Sequence, residues 1–125
     1  MSGNNKGYVL DTNIALYLLA GDTILASILD NKTLYISYIT EMELLCFKNL
    51  SPGEEKQIKS FLADCFIVEM NLPIKQAAIR IRKTTGLKLP DSIIAATAEY
   101  ANLPLLTADT GFHKLKSLRI LEYKK

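Results

Sequence analysis

The sequence predicts an α/β fold, a three-layer α/β/α sandwich built on a mostly parallel five-stranded sheet. Three observations predict it. Short apolar, β-branched and aromatic runs recur at residues 8–10, 33–36, 66–68, 103–107 and 118–123. Longer stretches with helical apolar spacing separate most of them. Such alternation favours parallel pairing through right-handed crossovers. The opening run, Tyr8-Val9-Leu10-Asp11-Thr12-Asn13, drives three apolar residues straight into an acid. That is a buried strand delivering a carboxylate to its C-terminal end, the edge where open α/β sheets bind ligands.

The elements follow in order. Residues 1–6 are polar and read as loose. After the first strand, residues 12–20 form a nearly all-apolar helix, with Gly21 placed to end it. Asp22 is placed to cap a short helix through Leu29, with Asn31 as its stop. The second strand, TLYI at residues 33–36, leads into a helix over residues 37–49. Ser51-Pro52-Gly53-Glu54 is a helix start with an N-cap serine, proline at the first helical position and glutamate at the third. That helix runs to about Asp64 and precedes the third strand. Pro73 opens the next helix, whose Ile74, Ala77, Ala78 and Ile81 recur at i, i+3, i+4, i+7, and Gly86 closes it. Pro90 opens another, with a small-residue stripe along Ile93, Ile94, Thr97, Ala98 and Ala101, and Asn102 ends it.

The 125 residues suit one domain, residues 1–125, with no linker or repeat. A composition 49% hydrophobic and 22% charged is that of a globular chain. A net charge of +2 gives no global field for nucleic acid, so any basic patch is local. The longest apolar run, residues 14–20, is far short of the roughly 20 residues of a membrane span. The start, MSGNNKG, has no apolar stretch of the secretory kind. A cytoplasmic location follows, with Cys46 and Cys65 as reduced packing residues.

Four acids stand out, each with an ordinary role available. Asp11 is placed to cap the helix behind it, although Thr12 or Asn13 could do the same. Glu43 completes a T-x-x-E capping box with Thr40, yet Ser37 is the better start for that helix. Asp91 offsets the dipole in a first helical turn, but its apolar and small neighbours imply partial burial. Asp109 suits the N-cap of a turn over residues 110–115, and it also falls at the strand end where Asp11 lies if the first and fourth strands flank the switch in strand order. Several ionised carboxylates share a pocket only if a cation neutralises them. With a single histidine, His113, and no paired cysteines, the ligands are oxygens, which select Mg²⁺ or Mn²⁺. Such an ion activates water and steadies phosphate oxygens, the machinery of phosphodiester hydrolysis. Arg80, Arg82, Lys83 and Lys88 lie just before Asp91, either as a solvated helix face or as phosphate contacts that read no bases.

These residues resemble the PIN-domain family, and within it the VapC-type toxins of bacterial and archaeal type II toxin–antitoxin pairs. The matching pieces are YVLDTNI, then Ser37, Thr40, Glu43 and Leu44 as S-x-x-T-x-x-E-L, then LPDSIIAATA around Asp91, then LLTADTGFHKL. They cover essentially the whole chain in order. The resemblance implies a metal-dependent endoribonuclease whose Asp11, Glu43, Asp91 and Asp109 surround Mg²⁺ or Mn²⁺. It implies supporting hydrogen bonds from Asn13 and Thr107, an RNA substrate, a homodimer, and an antitoxin partner that reaches across the acidic groove. One departure is Gly111, where many members carry an acid before the phenylalanine, here Phe112; a second metal is thereby in question. Two other Mg²⁺-using folds fit poorly. A receiver domain needs paired acids after its first strand, and a haloacid-dehalogenase-type phosphatase needs D-x-D where Asn13 stands. The remaining alternative is a PIN-like module that binds RNA or protein without cleaving.

Overall fold

The computed structural model describes residues 7–125; the expectation for residues 1–6 lies outside them. The order is β1 (Gly7–Leu10), α1 (Thr12–Leu19), α2 (Thr23–Ile28), β2 (Thr33–Ser37), α3 (Tyr38–Leu45), α4 (Pro52–Ala63), β3 (Phe66–Val68), α5 (Leu72–Thr85), α6 (Leu89–Ala101), β4 (Leu105–Thr107), a 3₁₀ turn (Thr110–Lys114) and β5 (Ile120–Glu122). The five strands form one sheet in the order β3-β2-β1-β4-β5, and every pairing is parallel. The order reverses between β1 and β4, with Leu10 opposite Leu106 in register. That switch opens a crevice at the carboxyl ends of the two strands.

Local chemistry explains the element ends. Asp22 accepts from the Leu25 N–H at 3.0 Å and starts α2. Ser51 and Glu54 form a reciprocal capping box at 3.1 and 2.9 Å. Asn71 caps α5 through the Ile74 N–H at 2.9 Å, so Pro73 sits inside the first turn rather than opening the helix. Gly86 takes the left-handed conformation (φ 76°) that lets the chain leave α5 and turn into α6. The third helix is shorter than its apolar residues suggest. It stops at Leu45, Asn49 turns left-handed (φ 63°), and Phe47 is exposed. A helix through Asn49 would carry the chain away from Ser51, where α4 must begin.

The strand pleat divides the core. Val9 and Leu105 face α5 and α6, joined by the partly buried Tyr35, Val68 and Ile120. Their strand neighbours Leu10, Leu106 and Ile36 face the layer of α1 to α4. This is period-2 alternation with both faces covered. Helix α6 is the most enclosed helix, with Ser92 through Ala98 all buried. Ala95, Ala96 and Ala98 let it lie close on β1 and β2, so a larger side chain there overpacks the layer at about 1–3 kcal/mol. Both cysteines are free. Cys46 is exposed rather than packed, because it caps the shortened α3; burial, then Asp64, pushes the half-buried Cys65 thiol up to about 11. No helix among the described residues is long and apolar enough to cross a membrane.

Candidate active site

Asp11 is the residue around which the carboxyl edge is assembled. Its backbone N–H donates to the Leu106 carbonyl at 2.9 Å, extending the β1–β4 ladder one residue past the strand. The side chain, only 5% exposed, both caps α1 and faces the crevice. Its Oδ1 accepts from the Thr12 N–H at 2.8 Å, and its Oδ2 from the buried Thr107 hydroxyl at 2.7 Å. The carboxylate that caps α1 is therefore the same one that stands at the crevice. The Thr107 hydroxyl also accepts the Asp109 N–H at 3.0 Å, which folds the loop after β4 back over the switch point. Asp109 itself is exposed, and its Oδ1 accepts from the Gly111 N–H at 2.8 Å. A Cβ at Gly111 would stand 3.2 Å from that oxygen, so the glycine leaves Asp109 its position.

Glu43 arrives from α3. Ser37 caps that helix through the Ile39 N–H at 3.2 Å, so the T-x-x-E capping box is not formed. Thr40 and Glu43 instead turn one face of α3 toward Thr12. The Thr12 hydroxyl donates to Glu43 Oε1 at 2.7 Å and lies 3.0 Å from the Thr40 hydroxyl. Asp91 comes from the first turn of α6, half-buried. The result is a continuous run, Glu43–Thr12–Asp11–Thr107–Asp109, with Asp91 across from it on a rigid helix end.

The electrostatics agree that the four acids share one edge. Burial pushes the Asp11 carboxyl above the ordinary carboxylate range; the Thr107 and Thr12 bonds oppose this, and Asp109 and Glu43 add to it. Asp91 is pushed up by burial, then by Asp11, Asp109 and Glu43, with Lys88 opposing. None of the four takes part in an ion pair among the described residues. As the side chains stand, no three His, Cys, Asp or Glu among the described residues are close enough together to hold an ion. The donor set nevertheless suits a hard divalent cation. It is all oxygen, net negative, partly desolvated and, at Asp11 and Glu43, tied to the fold by hydroxyls that leave carboxylate lone pairs free.

The supporting residues are placed unequally. Thr107 is buried and bonded as described. Asn13 is exposed, and the hydroxyl that reaches an acid on this turn is that of Thr12, a residue the sequence offered as an alternative cap for α1. The S-x-x-T-x-x-E spacing was the available signal, since it sets Thr40 and Glu43 one helical turn apart on one face. The basic cluster also divides. Arg80 pairs with Glu99 on α6, and Arg82 donates to the Gly86 and Leu87 carbonyls at 3.0 and 2.8 Å, closing the end of α5. Lys83 and Lys88 are exposed and free of ion pairs among the described residues.

Comparison with known proteins matches this architecture. The PIN domain matches residues 8–118. No curated protein matches. Among solved structures, a toxin–antitoxin complex from Klebsiella pneumoniae is 28% identical, covering 91% of this chain and 95% of that one, with a TM-score of 0.78. VapBC-1 from nontypeable Haemophilus influenzae is 25% identical, covering 93% and 97%, with a TM-score of 0.70. VapBC2 from Rickettsia felis, bound to a DNA fragment from its promoter, shares the fold at 20% identity, covering 94% and 99%, with a TM-score of 0.77. With the match running from β1 through β4 and the 3₁₀ turn, and taking in the acidic edge between them, the chain belongs to the PIN domain family.

Proposed function

We propose that this protein is an endoribonuclease dependent on Mg²⁺ or Mn²⁺, the toxin of a VapBC-type pair. One observation carries the reading: four carboxylates from four separate segments lie within electrostatic reach of one another near the sheet's switch point, with no cationic side chain paired to them among the described residues. Asp11, Glu43, Asp91 and Asp109 would hold the ion. A bound divalent cation supplies a Lewis acid for phosphate oxygens and a water of lowered pKa. Thr107 and the Thr12 N–H favour the ionised form of Asp11 and oppose the effect of its burial. Lys88, next to Asp91, and Lys83 on the preceding helix contact the RNA backbone, which positions the strand without reading its bases. The loop after β4 offers Asp109 and, with Gly111, no second acid, which suits one ion better than two. RNA as substrate places the protein in the cytoplasm.

The antitoxin partner rests on likeness to the Klebsiella pneumoniae complex at 28% identity. Exposed Ile24 and Ile28 on α2, with Met42, Leu45 and Phe47 on and after α3, offer apolar surface to such a partner and to a second copy in a homodimer. The test is cleavage of total RNA by the purified chain. Cleavage should stop with EDTA, return with added Mn²⁺, and be absent from Asp11→Asn and Asp91→Asn preparations that keep their fold. Binding of RNA without cleavage in every metal would instead identify a non-cleaving module.

A further inference from the structure

The three hydroxyl and amide contacts made by Thr12 have an order that the atoms themselves dictate. Thr12 has one hydroxyl proton, and Glu43 Oε1, an acceptor at 2.7 Å, takes it. The Thr12–Thr40 contact at 3.0 Å must then run the other way, with the fully buried Thr40 donating to Thr12. The result is a directed chain, Thr40 to Thr12 to Glu43, in which each bond polarises the next toward the carboxylate. At the same residue the backbone N–H donates to Asp11 Oδ1 at 2.8 Å. Thr12 thus touches two of the four acids, one on the sheet and one on α3. No other described hydrogen bond links Glu43 to the sheet edge. The next turn of α3 ends in exposed Leu45 and Cys46, and no ion pair with Glu43 forms among the described residues.

We infer that Thr12 is a positioning residue that sets the Glu43 carboxylate against Asp11, and that it thereby governs the affinity of the acidic edge for a divalent cation. This rests on the metal-site reading of the four acids. The warrant is pre-organisation. A glutamate has three side-chain torsions, and free it would swing away from its like-charged neighbours. Held by the chain, it keeps one oxygen bonded to Thr12 and the other available to an ion. Partners of this kind typically change metal affinity by about 10–100-fold when removed.

The experiment is a calorimetric titration of Mn²⁺ into the full chain, with thermal unfolding in EDTA as a separate readout of the fold. Thr12→Val keeps the shape and removes the hydroxyl; it should weaken Mn²⁺ binding about tenfold or more. Thr12→Ser restores the hydroxyl and should bind within about twofold of wild type. Thr12→Ala provides the same loss of hydroxyl should the valine disturb the helix start. In a Glu43→Gln background, Thr12→Val should add little, because the two act as one unit. In cleavage assays the Thr12→Val defect should be relieved by raised Mn²⁺, while KM for RNA stays close to wild type. Wild-type Mn²⁺ affinity in Thr12→Val and Thr12→Ala, whatever their melting temperatures, overturns the inference and leaves the metal site standing. Absence of Mn²⁺ binding by the wild-type chain overturns both.

Discussion

Replacing Thr107 by valine tests how the buried acid is kept in place. The side chain is fully buried and nearly isosteric, so the change removes two hydrogen bonds and little packing. One is charge-assisted, to Asp11 Oδ2 at 2.7 Å; the other receives the Asp109 N–H at 3.0 Å. The first costs about 1.5–3 kcal/mol when lost, and the second about 0.5–1.5, since Asp109 lies where water can replace the hydroxyl. The sum, about 2–4.5 kcal/mol, is a large part of the roughly 5–15 kcal/mol that holds a domain of this size folded. At roughly 3–5 °C per kcal/mol it lowers the melting temperature by about 6–23 °C. The pH dependence follows from the direction of the Asp11 shift. Burial raises that carboxyl above its ordinary value of 3.8, and the Thr107 bond is the foremost opposing influence. A raised acid binds more protons in the folded chain, so its stability contribution is intact below the unfolded value and lost as pH rises through the folded one. Without Thr107 the loss extends further upward. The valine variant should therefore melt only modestly lower near pH 3.5 and much lower at pH 7.5, read by circular dichroism in EDTA. A deficit that is equal at both pH values, or a variant within 1 °C of wild type at pH 7.5, would refute the reasoning.

Other outcomes follow from the same geometry. Asp91→Asn should raise the melting temperature in EDTA at neutral pH, because burial and three neighbouring acids oppose its charge; an unchanged or lower value there would mean that Asp91 is already compensated. Lys88→Gln should lower the slope of log affinity against log salt for RNA by about one, with Lys83→Gln additive, whereas Arg82→Gln should destabilise the end of α5 and leave that slope alone. Gly111→Ala should push the Asp109 carboxylate off its loop N–H and weaken Mn²⁺ binding while the fold persists; wild-type Mn²⁺ affinity would show that Asp109 moves freely. Phe112→Ala, emptying a fully buried site under the 3₁₀ turn, should cost about 3–5 kcal/mol in chemical denaturation.

Much of this was legible in the sequence because the signals are local. Apolar runs ending in Asp11 and Thr107, the Ser51–Glu54 box and Gly86 name their elements from a few residues each. Strand order was accessible only as a condition, since nothing within one strand says which neighbour it takes; β1 and β4 are ninety-odd positions apart, and their pairing sets Asp11 beside Asp109. The bonding role of Thr12 is hidden from the sequence for the same reason. Its partners Thr40 and Glu43 lie 28 and 31 residues on, and a hydroxyl in a turn has many uses. The basic cluster read as one group, yet Arg80 and Arg82 are occupied by Glu99 and by helix-end carbonyls, which composition cannot register. The end of α3 was set by the need to reach α4, against the apolar character of Phe47.

The claim at the centre of the account is that Asp11, Glu43, Asp91 and Asp109 together hold a divalent cation. Anomalous diffraction from crystals soaked in Mn²⁺ addresses it most directly. A manganese peak is expected at the carboxyl edge of β1 and β4, with oxygens of at least two of these acids within roughly 2.5 Å, and it should be lost in Asp11→Asn crystals. Crystals of an RNA-cleaving preparation that show no manganese there, or show it only elsewhere on the chain, would contradict it.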